Sequence, residues 1–333
     1  MSEAVRPGYW LSGQNFTSQP LAELWQHWHL KVESHDFTHA LAQGWVEVLE
    51  YQQRLKLTID SQILPGQYYR FWMPDHAEAD TDTGWKLLWQ HPELMAVHKP
   101  ADLPVSRTTR NLFDTLISRV RRETPYSDAH LLHRLDAETS GIMLLANESH
   151  YDRKWKKRLE RLLARKIYLA LVDGQPHWQQ LDYRCWLAER SGSAIRSKVY
   201  VVGEGEQPPQ DDDLIKPKSA QTIFTVLAKQ GAQALIACEL KTGRRHQIRA
   251  QLAHLGLPIV GDKTYHHNGL YYLKRIGAEL GPADWAVLHS RHQLLHAWQI
   301  ELDLYGEAIR LADPYLSEQW PEWVKNHIGD IHL

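Results

Sequence analysis

At 333 residues, with 43% hydrophobic and 23% charged positions, the chain has the composition of an ordinary globular protein with room for one large domain or two smaller ones. No apolar run approaches the ~20 residues that span a bilayer, and Met1-Ser2-Glu3-Ala4-Val5 lacks a basic, apolar signal sequence; with only Cys185 and Cys238, too far apart to imply a disulfide framework or a thiolate zinc site, a cytoplasmic location is expected. A net charge of -2 excludes a uniformly basic nucleic-acid binder, so any contact with RNA has to come from a local patch.

In chain order, residues from about 8 to 74 read as a small module. Leu21, Leu24, Trp25 and Trp28 recur at helical spacing. Asp36 can cap a second short helix on which Phe37 and Leu41 share a face, and Gly44 suits its end. Strand-like Trp45 to Leu49 follows, then Tyr68 to Trp72 after the Pro65-Gly66 turn. The module is expected over residues 1–75, and acidic, weakly hydrophobic residues 76–84 are expected to be a linker.

From residue 85 to 333 the periodicities alternate irregularly. Strands are predicted at Leu94–His98, Ile142–Ala146, Ile167–Val172, Thr222–Ala228 and Ala234–Leu240, and helices at Leu112–Arg121, Tyr151–Leu163 and Arg245–Leu255. Gly203 to Asp213 reads as an exposed loop; its glycines lack the spacing and the lysine of a phosphate cradle. Because this is not a regular βαβ series, the fold class expected is α+β, a mixed, largely antiparallel central sheet with flanking helices, preceded by the small α/β module.

Four segments stand out chemically. Leu94 to Ala101 ends a strand in Lys99-Pro100. In His133-Arg134-Leu135-Asp136-Ala137-Glu138-Thr139-Ser140-Gly141 an aspartate stands at the mouth of an apolar strand, where a charge is costly unless it is paired or used; a turn in which Asp136 only accepts backbone N–H groups is the plainer alternative. Lys166 to Val172 is a strand carrying Tyr168. In Leu240 to Asp262, at 100° per residue, Arg245 and Arg249 fall on one stripe beside Ile248, Leu252 and Leu255, so one helix packs on the sheet while offering guanidinium groups. Between Arg153 and Lys166 eight cations stand against Glu160 alone, which is either a solvated face or an RNA-facing patch.

These segments, in this order from about Leu87 to Leu304, resemble the RluA-type pseudouridine synthases. The front module is similar in pattern to the small ribosomal-protein-type RNA-binding module that precedes many members. It is a degenerate version, since Lys31, Arg54, Lys56 and Arg70 are sparse and the family module is basic. Leu257 stands where members usually have His. The resemblance implies an isomerase that breaks the bond between the ribose anomeric carbon and the uracil nitrogen, turns the base and rejoins it through carbon 5. No cofactor and no metal are required.

It assigns Asp136 as the carboxylate acting beside the sugar, Arg249 as the partner keeping it ionised, and Tyr168 as the residue against the uracil. Arg134 would fill the space left by a flipped uridine, and His133, Arg244, Gln247 and Ile248 would complete the substrate contacts. Attack on the sugar, attack on the base and a glycal route all remain open. The expected partner is structured RNA, ribosomal with tRNA as the alternative; no membrane and no obligate protein partner are implied. Two other classes compete. One is a non-catalytic RNA-binding or assembly factor on the same scaffold. The other is a metal-dependent hydrolase using His289, His292 and His296, whose spacing could turn three imidazoles to one helix face.

Overall fold

Alternation along Leu163–Asp173 sorts Tyr168, Ala170 and Val172 to one face of a strand and Ile167, Leu169 and Leu171 to the other. Both faces are buried, which places this strand in the middle of a sheet covered on both sides. The structure, a computed structural model, describes residues 3–29, 36–51, 53–108 and 111–329. Among these, an 11-stranded sheet runs in the order Tyr200–Gly203, Gln180–Arg190, Leu214–Gln230, Gln233–Leu240, Leu163–Asp173, Leu295–Leu304, Ser140–Ala146, Leu94–Lys99 and Lys86–Gln90, with His130–Leu131 and Glu307–Ala312 attached to it. Neighbours are antiparallel except Ser140–Ala146 and Leu295–Leu304, which are parallel. This is the mixed, largely antiparallel sheet with flanking helices that the sequence predicts.

Helix Gln247–His254 lays Ile248 and Leu252 on the face that carries Ala170, Val172, Phe224 and Ile236. The opposite face is covered by Val260, Trp298, Trp320 and Val324, the last on helix Glu322–Gly329. The parallel seam pairs Gly141 with Ala297, and Ala297 pairs on its other side with Tyr168. Gly141 and Tyr168 therefore stand level across the sheet, two strand spacings or roughly 10 Å apart.

The chain divides into two compact units, Met1–Thr81 with Ser106–Arg119, and Asp82–Val105 with Val120–Leu333. The first has its own core of Leu11, Leu21, Trp25, Phe37, Val48 and Phe71 under an antiparallel sheet ordered Tyr9–Gln14, Tyr68–Met73, Val46–Glu50, Gln53–Arg54. Its helices are Leu21–Trp28 and Phe37–Ala42, the latter capped by the Asp36 carboxylate, which accepts the Thr38 N–H. Arg54 and Arg70 both pair with Glu47, which uses up two of the module's sparse positive charges; Lys31 lies outside the described residues.

Three expectations are corrected. The linker read at residues 76–84 begins as a strand: His76–Ala79 pairs with Glu3–Arg6. Its Glu78 is buried, with one oxygen accepting the N–H groups of Leu112 and Phe113 and the other that of Asp114. Burial pushes the Glu78 carboxyl up, but His76 and these N–H groups outweigh it and hold it below the usual range. Because those N–H groups are spent on Glu78, the helix predicted from Leu112 starts later, at Leu116–Glu123. The helix predicted over Tyr151–Leu163 is two, Ser149–Lys156 and Leu159–Leu162, broken where Arg158 leaves helical geometry (φ -121°, ψ 15°).

Candidate active site

Asp136 lies in the loop before strand Ser140–Ala146, and each residue after it is tied down. Lys99 Nζ donates to the carbonyl of Ala137 (2.8 Å) as well as to those of Pro100 and Leu103. Glu138 accepts from Lys263 and Arg275, both at 2.8 Å. Thr139 Oγ1 accepts from Gln293 (2.6 Å), and Ser140 Oγ meets His296 Nδ1 (2.9 Å). Lys99 is fully buried, and burial pulls its ammonium down to about 7 against the pull of Asp102 and Asp136. This clamp holds a strained spot: Gly141 sits at φ 116°, and any Cβ there would overlap the backbone of Ala297.

The Asp136 side chain is 32% exposed and its Oδ2 accepts from Arg249 Nη1 at 2.6 Å. Arg249 is itself held by a second carboxylate: its Nε and Nη2 donate to Asp262 at 2.7 and 2.9 Å, while Asp262 Oδ1 also accepts the N–H groups of Thr264 and Tyr265. A lysine could not make this bidentate grip while reaching Asp136. The guanidinium also lies 5.1 Å from the Tyr265 ring centroid. Burial raises the Asp136 carboxyl; the Arg249 guanidinium leads the opposing groups, and the carboxyl stays below its ordinary value. Among the described residues Oδ1 of Asp136 has no hydrogen-bond partner. It is the open oxygen of the site.

Tyr168 faces the same side of the sheet as helix Gln247–His254, and its hydroxyl makes no hydrogen bond among the described residues. Burial first, and then the Asp136 charge, push it above the ordinary tyrosine value. Arg134 is exposed and makes no ion pair or hydrogen bond among the described residues, so its guanidinium is free to meet a ligand.

Other expected contacts are spent elsewhere. His133 Nε2 accepts the Leu144 N–H (3.0 Å), and burial pulls its imidazole down to about 4, so it is a neutral brace of the strand. The Gln247 amide is fully used: Oε1 accepts from Thr242 and from the Arg244 N–H, and Nε2 donates to Gln221 O and Thr222 Oγ1. Ile248 is 4% exposed inside the core cluster, because the helix turns it into the sheet. Arg244 is exposed and donates from Nε to Ser219 O at 3.0 Å.

Arg245 does not share a helical stripe with Arg249: the helix starts at Gln247, His246 has left-handed backbone (φ 55°), and Arg245 reaches Glu189 and Ser197 O instead. His289, His292 and His296 go to separate partners, since His296 is on a strand, His292 meets Ser317 and Asp102, and His289 faces Asp173.

Sequence reading missed His246, 3.7 Å from Asp136 Oδ2 through Nε2, and the supports Asp262, Tyr265 and Lys263. Asp262 stood in a motif already singled out, but only the fold reveals it as the second carboxylate on Arg249.

Residues 93–254, which contain Asp136, Tyr168 and Arg249, match the profile described as RNA pseudouridylate synthase. Over 221 residues the chain is 31% identical to a ribosomal large subunit pseudouridine synthase D of Nitrosomonas europaea, covering 65% of this chain and 57% of that relative. Over 242 residues it is 27% identical to a dual-specificity RNA pseudouridine synthase RluA of Vibrio vulnificus, covering 71% of this chain and 90% of that one. The solved structure titled human RNA pseudouridylate synthase domain containing 1 shares the fold, with a TM-score of 0.54 and 22% identity over 72% of this chain and 87% of that one. Residues 93–254 of the chain belong to the RNA pseudouridylate synthase family. Its relatives place it with the RluA type.

Proposed function

We propose that the chain isomerises specific uridines of structured RNA to pseudouridine, with Asp136 as the catalytic carboxylate. The observation that carries this reading is the asymmetry of Asp136: Oδ2 is held by Arg249 and Oδ1 is open. An aspartate whose charge is preserved by a buried arginine, with one oxygen left for a ligand, fits a group that acts directly at the sugar or base. During the isomerisation the C1′–N1 bond breaks, the base turns, C5 bonds to C1′, the C5 proton leaves and N1 gains one, so no outside reactant is consumed. Tyr168 enters as a neutral phenol, because burial and the Asp136 charge oppose its ionisation; it lies against the base and relays a proton without starting as a phenolate. Arg134, exposed and without a partner among the described residues, fills the stack that the flipped uridine leaves.

The substrate read from the relatives is ribosomal RNA, in keeping with the name of the Nitrosomonas protein; tRNA is the alternative. The test is site-resolved pseudouridine mapping of total RNA from cells with the gene, without it, and with Asp136→Asn. Loss of the same one or few sites in the deletion and in the mutant is expected and names the RNA. An unchanged map, together with no turnover of bulk RNA by the purified protein, overturns the reading in favour of a binding factor.

A further inference from the structure

Both protein partners of Asp136 approach the same oxygen: Arg249 Nη1 at 2.6 Å and His246 Nε2 at 3.7 Å from Oδ2. The His246 ring is 12% exposed and its other nitrogen, Nδ1, lies 3.1 Å from the Tyr265 hydroxyl. That hydroxyl has one proton. It already accepts the N–H of Val199 at 3.0 Å, and among the described residues its only partner able to accept the proton is His246 Nδ1. The proton of the neutral ring then sits on Nε2, which is the nitrogen facing Asp136. Tyr265 is fixed in turn by the Arg249 guanidinium over its face and by its backbone N–H to Asp262.

We infer that His246 is a positioning residue for the aspartate: held by Tyr265 as the neutral Nε2–H tautomer, it aims that N–H at Oδ2 and, with Arg249, leaves Oδ1 as the single oxygen presented to the substrate. The inference deepens the pseudouridine synthase reading and rests on it for its kinetic consequence only. The groups that face the ring are Asp136, Arg249, Asp262, Arg245 and Tyr265, with Lys198 Nζ 5.5 Å from the Tyr265 ring centroid. Burial and Arg249 outweigh the two aspartates and pull the imidazole down to about 4, so the ring adds a donor to the site without adding a charge at neutral pH. A cationic imidazole there would compete with Arg249 for the same oxygen and draw charge off the carboxylate. The left-handed backbone at His246 (φ 55°), outside the helix that begins at Gln247, is what turns the ring back toward the loop of Asp136.

The tautomer is read without turnover. Nitrogen-15 spectra of the histidine rings, with His246 assigned by its loss in His246→Gln, are expected to show Nδ1 bare and Nε2 protonated at pH 7. A protonated Nδ1, or a doubly protonated ring, overturns the inference whatever the protein does to RNA. On an RNA that the wild type modifies, His246→Ala is expected to lower kcat roughly 3- to 10-fold with KM within about twofold, less than a full hydrogen bond to a charged group because Nε2 stands 3.7 Å from Oδ2. His246→Gln, whose amide N–H reaches the position of Nε2, is expected to recover most of that loss; the two variants share the same backbone cost at φ 55°, so their ratio reports the donor. Tyr265→Phe removes the hydroxyl that donates to Nδ1, so the proton can move to that nitrogen, and it is expected to lower kcat to about the level of His246→Ala while burial and Arg249 keep the ring neutral. Equal defects in the Ala and Gln variants, or wild-type kcat in Tyr265→Phe, reduce His246 to a packing residue. Wild-type protein inactive on every RNA, with the tautomer as expected, overturns the reading of the activity while leaving the ring's placement standing.

Discussion

Arg249 is the residue on which the site turns, because one guanidinium bridges two carboxylates, Asp136 and Asp262. Replacing it by lysine keeps a positive charge and loses the fork. Arg249→Lys is therefore expected to lower kcat/KM by about 100-fold or more, since an ammonium on a flexible stem cannot hold both carboxylates in register. Steady-state turnover on a mapped RNA site checks this, and wild-type activity in the lysine variant shows that charge alone suffices. Asp262→Asn leaves a buried guanidinium half-paired, and breaking a buried pair costs of order 3–5 kcal/mol; an unfolding free energy from chemical denaturation that changes by less than about 1 kcal/mol speaks against it. The acid behaviour follows from the same pairing. In the proposed role Asp136 is ionised, and its carboxyl is held below the ordinary aspartate value, so this group is expected to cost no activity as pH falls from 7 to about 5, well above the reference of ~3.9.

At the scale of elements, the seam between strands Ser140–Ala146 and Leu295–Leu304 sets the distance from Asp136 to Tyr168. Gly141 makes that seam possible, with φ 116° and no room for a Cβ against Ala297. Gly141→Ala is expected to destabilise the protein by more than about 2 kcal/mol, combining left-handed strain with backbone overlap. Thermal denaturation measures it, and a melting temperature unchanged within a degree contradicts the described packing. The strands around this seam were legible because Leu94–His98 and Ile167–Val172 are short, near-continuous apolar runs, the pattern of a strand buried on both faces. Helix starts were not. The periodicity of Arg245 to Leu255 runs smoothly through His246, and nothing in the residue order announces that the backbone there is left-handed. Leu112 to Thr115 likewise carries a helical pattern, but a carboxylate 34 residues away takes the Leu112 N–H.

For the molecule as a whole, charge and protonation set the outward behaviour. Of the cations between Arg153 and Lys166, Lys154 pairs with Glu93, Lys156 with Asp152 and Arg165 with Glu239, while Arg153, Lys157, Arg158 and Arg161 are exposed without an acidic partner among the described residues. Replacing these four by glutamine is expected to weaken RNA binding and to flatten its salt dependence by up to ~3 in the slope of log K against log salt, at ~0.7 per phosphate contact on single strands. Binding titrations at several KCl concentrations decide it, and an unchanged slope turns this face away from RNA.

Stability has its own pH window. His133 and His246 are pulled down to about 4 by burial, and His296 is lowered for the same reason. The unfolded chain binds these protons near pH 6.5 and the folded chain does not, so their contribution is complete above about 6.5 and is lost as pH falls toward 4. Melting temperature is expected to drop across that interval and to drop less steeply in His133→Gln; a flat profile from pH 7 to 4 refutes the burial of neutral rings.

By itself the sequence determined the class of fold and the family resemblance from which the role of the aspartate is proposed, because these rest on apolar runs, helical spacing and a contiguous motif, all local properties of the residue order. Asp136, Tyr168 and Arg249 were each legible within their own short segments. The tertiary structure alone decided which residues serve the site and which serve the scaffold. Gln247 and Ile248 lie in the same motif as Arg249, yet the helix turns one into a saturated hydrogen-bond network and the other into the core. Asp262, Tyr265 and His246 gain their meaning only from positions brought together by a sheet whose seam joins strands 154 to 156 residues apart, as between Ser140 or Thr139 and their partners His296 and Gln293. Pairing across such distances is settled by packing and by the saturation of buried polar groups, neither of which is written in any one stretch of chain.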